Sequence, residues 1–272
     1  MVSLLALCRY LTARQVSEFL FGGSTLTARS RQVIAWRVLR RLVRRGLVAL
    51  TPRHVGGVGS GSTEAGYFLT PAGLRLAATV HPDLPSRRPT RRGTFLLAHS
   101  LALADTALAF HRFARSEAGA EILAWESEWQ IAVKLGGSRI VPDARLTYAT
   151  TERAIDVFIE LDMATEGTRF FAQKITRYIE LYRDRGWCEF LPAWPLVLTV
   201  TPNEARVETL HVAAGAAVEY ELAADELAEC VFHFCSLPAL RRASFVSDRV
   251  ARIAGRDGRH PILDLSASEA DE

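Results

Sequence analysis

The sequence predicts two domains of mixed α and β structure, a small basic helical module with a two-stranded hairpin followed by a larger acidic α/β layer. Three observations carry this expectation. The first 80 residues show capped, helix-period apolar stripes that give way to glycine-punctuated strand signals. From residue 94 onward a long helical pattern leads into strands interrupted by a further helix. The charge also reverses at Gly93: residues 1–93 hold 15 Arg, no Lys and three acids, a net +12, whereas the remainder carries 18 basic and 27 acidic residues, a net −9. A basic module joined to an acidic one points to an anionic partner for the first, because arginines gain by releasing the counterions condensed on phosphates.

Composition excludes several classes. With 49% hydrophobic and 23% charged residues in 272, the chain is globular, and no apolar run reaches the ~18 residues a membrane span requires. The opening Met1–Cys8 lacks a basic leader and a cleavage site, and its helical pattern continues past Arg9, so a cytoplasmic protein with no membrane partner is expected. Cys8, Cys188, Cys230 and Cys235 are too scattered for a disulfide framework, and Cys230-x-x-His233-x-Cys235 lacks a second ligand pair; buried thiols are expected.

In the basic module, Thr12 caps a helix through Phe21 with Val16, Phe19 and Leu20 on one stripe, and Gly22-Gly23 ends it. Thr27 or Ser30 caps a second helix, in which Val33, Ile34, Val38, Leu39, Leu42 and Val43 recur until Gly46. Its polar side holds Arg29, Arg31, Arg37, Arg40, Arg41, Arg44 and Arg45, more like charge than solubility needs. Leu47–Thr51 reads as a strand, the Gly/Ser-rich stretch 56–66 as a tip, Tyr67–Thr70 as the return strand, and Pro71–Thr79 as a Pro-initiated helix. Helix, turn, Arg-rich helix and Gly-rich hairpin is the order of a winged helix-turn-helix, here residues 1–80. In such a domain the start of the second helix enters the major groove of double-stranded DNA. Arg29, Ser30, Arg31 and Gln32 are then placed for base edges, and Arg37, Arg41 and Arg53 for phosphates. A basic linker, residues 81–93, follows.

The larger domain is expected over residues 94–265, with a disordered acidic tail at 266–272. Phe95–Ala118 reads as a long helix, Ile122–Trp129, Ile140–Tyr148 and Ala154–Met163 as strands, Thr165–Arg185 as a helix, Leu196–Val200 as a strand and Tyr220–Cys235 as another helix. Trp125, Trp129, Trp187 and Trp194 are expected in its core or at an interface. Pro142-Asp143-Ala144 opens one strand and Phe158-Ile159-Glu160-Leu161-Asp162 closes the next, so Asp143 falls beside Glu160 while Glu160 and Asp162 share a face. Two or three carboxylates on one face make a hard-cation site suited to Mg²⁺, with Asp143 and Glu160 as ligands.

Most of the chain resembles the replication-relaxation proteins of actinobacterial plasmids and other mobile elements. The helix-turn-helix, the stretch His99–Asp105, Pro142-Asp143-Ala144, and Phe158–Glu166 followed by Lys174 and Tyr178 carry the resemblance. The same segment is similar to the core of PD-(D/E)xK nucleases, with Asp143 and Glu160 as its acids. That pattern wants Lys two residues after the second acid, where this sequence has Asp162; Lys174 on the following helix is the substitute the resemblance offers. The resemblance implies a DNA-binding protein of a mobile element acting in replication, transfer or their regulation, with element-encoded protein partners. A metal-dependent endonuclease or nickase using Asp143, Glu160, Asp162 and Lys174, and a homodimeric transcriptional regulator, are the rival readings. In a scaffold reading, Arg145, Arg169 or Lys174 neutralises the acids.

Overall fold

In this computed structural model the described residues are 1–51, 64–82, 84, 94–223 and 225–263. They fall into two compact units, Met1–Leu108 and Ala109–Glu272. The hairpin tip with Arg53, most of the basic linker and the acidic tail lie outside the described residues.

The first unit is mostly helical. Its α1 (Val2–Cys8) stops earlier than its apolar pattern suggests, because Arg9 turns into a positive-φ conformation (φ 65°). Thr12 and Gln15 form a reciprocal capping box at the start of α2 (Ala13–Phe21), satisfying two amide donors that the first turn leaves open. Thr27, rather than Ser30, caps α3 (Ala28–Arg44). Ala35 and Leu39 of α3 and Val16 of α2 are fully buried, which fixes the face that α3 turns inward. Two short antiparallel strands follow, β1 (Val48–Leu50) and β2 (Tyr67–Leu69), then α4 (Pro71–Ala78), capped by Thr70 with Pro71 in its first turn. The start of α4 lies against the turn after α3: Thr70 Oγ1 donates to the Gly46 carbonyl at 2.6 Å, and a Cβ on Gly73 would stand 2.1 Å from the Leu47 carbonyl oxygen. The long α5 (Thr94–Ser116) begins in this unit, where Asp105 accepts from Gln15 at 3.0 Å and Arg14 at 2.9 Å, anchoring α2.

The second unit is built on a seven-stranded mixed sheet whose strands lie in sequence order. These are β3 (Glu121–Ser127), β4 (Ala144–Ala149), β5 (Ala154–Leu161), β6 (Leu196–Thr201), β7 (Phe232–Ser236), β8 (Arg249–Ile253) and β9 (Arg256–Pro261). The pairs β5–β6 and β6–β7 are parallel and the rest antiparallel. Parallel neighbours require crossovers, supplied by α7 (Thr168–Asp184) and α8 (Glu204–Glu221). One continuous core joins Phe171, Ile175 and Tyr178 of α7, Val207 and Leu210 of α8, and Phe158, Val197, Phe232 and Phe234 of the sheet. Trp187 belongs to that core and Trp194 packs on it at 5.5 Å between ring centroids. Phe110 of α5 stacks edge-on against Tyr148 of β4.

Three local expectations are corrected. The strand expected through Trp129 ends at Ser127, whose capping box with Gln130 starts α6 (Glu128–Lys134). The helix expected over 220–235 is instead the end of α8, a single turn α9 (Glu226–Glu229), and the central strand β7; α10 (Leu237–Arg242) follows. Cys8, Cys230 and Cys235 are buried, but Cys188 is exposed. Among the described residues no helix is long and apolar enough to cross a membrane.

Candidate functional site

Two clusters of charge stand out, one in each unit, and they are built on opposite terms. Along α3, the helical repeat that buries Ala35 and Leu39 turns Arg29, Arg37, Arg40, Arg41 and Arg44 outward, and Arg45 follows as its C-cap. All six are exposed, α3 itself contains no acid, and among the described residues none of the six has an ion-pair partner. Gln32 lies exposed on the same face. Ser30 is also exposed, but its Oγ accepts from the capping Thr27 hydroxyl at 2.9 Å.

Arg31 departs from the base-reading position expected of it. Its Nη1 donates back to the carbonyls of Gly22 at 3.2 Å and Phe21 at 3.4 Å, and Nη2 lies 3.6 Å from Glu18. The end of α2 leaves carbonyls without helical donors, and Arg31 supplies one across the turn. It ties α2 to α3 and leaves the outward face.

The second cluster lies on the face of β5 that α7 and α8 cover. Alternation along the strand puts Asp156, Phe158 and Glu160 on that face, with Asp162 just beyond its end. Glu160 is 2% exposed; Lys174 and Tyr178, one turn apart on α7, donate to its Oε2 and Oε1 respectively. Asp143, immediately before β4, lies across from it, as the register of Ala144 with Ile159 requires, and its Oδ2 accepts from the Leu161 amide at 2.8 Å. Asp162 is held by Arg206 of α8, whose Nη2 also donates to the Glu166 carbonyl at 2.7 Å. At the other end Arg145 bridges Asp156 at 3.1 Å and Glu126 at 3.2 Å. Each acid of the row therefore has its own cation. Of the neutralising residues suggested by sequence, Lys174 takes Glu160, whereas Arg145 serves Asp156; Arg206, in a stretch where the helical pattern is weak, takes Asp162.

Burial pushes the Glu160 carboxyl up, Lys174 draws it back down, and Asp143 adds to the rise. Burial lowers Lys174, but Glu160 and Asp143 outweigh it and hold the ammonium firmly protonated. Tyr178 is pushed well above its ordinary value by burial and by Glu160. Mg²⁺ requires near-octahedral oxygen coordination with carboxylate lone pairs free to face it. Here both Glu160 oxygens and one of Asp143 are already accepting, an ammonium occupies the cationic position, and among the described residues no three His, Cys, Asp or Glu side chains group as a metal centre. In this arrangement the Asp143 and Glu160 carboxylates are engaged by groups of the protein itself.

A family model described as Replication-relaxation matches residues 3–192, more than half of the chain, and spans both the arginine face and the acid row. No curated protein and no solved structure matches it.

Proposed function

The chain belongs to the replication-relaxation family, and from that premise we propose that it is a double-stranded DNA-binding protein of a plasmid or other mobile element, acting in its replication, its transfer or their regulation. The observation that carries this reading is the outward face of α3: six exposed arginines on the helix and its C-cap, none with an ion-pair partner among the described residues. We read α2, α3 and the β1–β2 pair as a winged helix-turn-helix, with α3 in the major groove, Arg29 and Gln32 at base edges, and Arg37 and Arg41 on phosphates. Arg53, which falls between β1 and β2 in sequence, belongs to the phosphate set in this reading.

The second unit, in the same reading, is a PD-(D/E)xK-like fold that serves as a scaffold. The three acids along β5, Asp156, Glu160 and Asp162, are matched by Arg145, Lys174 and Arg206, which supports the scaffold reading. The deciding experiment incubates the full chain with supercoiled and linear DNA in Mg²⁺, in Mn²⁺ and in EDTA, beside Asp143→Ala/Glu160→Ala. A mobility shift indifferent to metal and to the substitutions is expected. Metal-dependent cutting or nicking abolished by the double substitution would replace the scaffold reading with that of an endonuclease.

A further inference from the structure

The arginine face of α3 also presents apolar surface that a water-facing helix does not need. Val33 is 39% and Trp36 47% exposed, one turn apart in the middle of the helix. With Arg29 and Gln32 they line a groove of about 300 Å³, bounded also by Arg14 and Glu64. Positions 29, 32, 33, 36 and 40 fall on one stripe. The Arg40 guanidinium lies 5.1 Å from the Trp36 ring centroid, a cation–π contact that steadies the indole.

An apolar platform on an arginine-rich face, with Arg29 beside it lacking an ion-pair partner among the described residues, suits a polyanion that also offers something apolar. The Glu64 carboxylate on the groove wall disfavours a phosphate within it, leaving the base edges as the matching surface. In the major groove of B-DNA the base edges display one apolar group, the 5-methyl of thymine, among hydrogen-bonding donors and acceptors. Arg29 and Gln32, beside the platform, are the residue types that pair with guanine and adenine edges.

We propose that Val33 and Trp36 contact thymine 5-methyl groups in the major groove, so that the preferred sites of this protein depend on thymine beneath the middle of α3. The proposal rests on the duplex-docking reading above and adds the chemical group that is recognised.

The test takes the full chain, a duplex selected by it from a random library, and versions of that duplex with deoxyuridine replacing thymidine one position at a time, which deletes the methyl alone. Fluorescence anisotropy should show about fourfold weaker binding at one or two positions, the size expected for one methyl group returned to water. In Trp36→Ala and Val33→Ser the thymine-to-uracil ratio at those positions should fall to about one, with the salt dependence of binding unchanged. Equal affinity for thymine and uracil throughout, or a penalty that persists in both variants, overturns the inference. A full chain that binds no duplex at all overturns the docking reading beneath it.

Discussion

The outer face of α3 and the covered face of β5 are equally rich in charge, yet one is open and the other closed. On α3, arginines follow one another with nothing among the described residues to neutralise them. On β5, Asp156, Glu160 and Asp162 each meet a cation from a different element: Arg145 of β4, Lys174 of α7 and Arg206 of α8. The difference separates two uses of charge. An unmatched exposed array stores electrostatic free energy that an external polyanion releases, whereas in a matched buried row each charge is compensated locally and removal of one partner leaves the other uncompensated.

The largest effect is expected where the closed row is opened. Lys174→Met leaves Glu160 buried without its cation and should cost about 3–5 kcal/mol near pH 8, measured by urea unfolding. Glu160, already pushed up by burial, rises further in this variant. An acid whose folded value lies above its unfolded one binds more protons in the native state, so stability is lost as pH rises and regained as it falls. The deficit should therefore shrink at pH 5; an equal deficit at both values would mean that Lys174 acts through packing. Next comes the open array. Arg37→Ala/Arg41→Ala should lower the slope of log K against log salt by about two, near 0.9 for every phosphate that is no longer neutralised. An unchanged slope would remove α3 from the groove.

Arg31→Ala sharpens the contrast, because Arg31 is the arginine on α3 that is turned inward. It should lower stability by about 1–3 kcal/mol and leave the salt slope alone. The smallest effect concerns the thiols. Burial pushes Cys230 and Cys235 up to about 12, so iodoacetamide at pH 8 should label the exposed Cys188 while these two and buried Cys8 react only after unfolding. Labelling of Cys235 in the native protein would mean that β7 is not central.

The helices of the first unit were legible because Thr12, Thr27 and Thr70 mark their starts and one apolar stripe marks each inner face. The adjacency of Asp143 and Glu160 was legible as well, since two short strands joined by a tight turn admit few registers. The region after Asn203 was not. Helix α8 carries Ala213, Ala214, Ala216 and Ala217 among its apolar positions, which flattens the contrast between faces, and β7 is buried at all five residues, so alternation is missing. With α8 went Arg206, 44 residues from the acid it holds. Helix α6 had a readable signal, Ser127-x-x-Gln130, that a strand assignment through Trp129 overran. Arg31 shows a different limit: helical position alone does not reveal that a long side chain will fold back to serve a neighbouring turn.

The approach of Gly73 to the Leu47 carbonyl bears on how this protein can diverge. The obstruction is main chain on both sides, so no side-chain exchange at a neighbouring position can relieve it, and the nearest permitted change is a shift of α4 as a whole. Lineages descending from this sequence have no stepwise route through alanine at position 73. They keep the glycine or re-dock the helix.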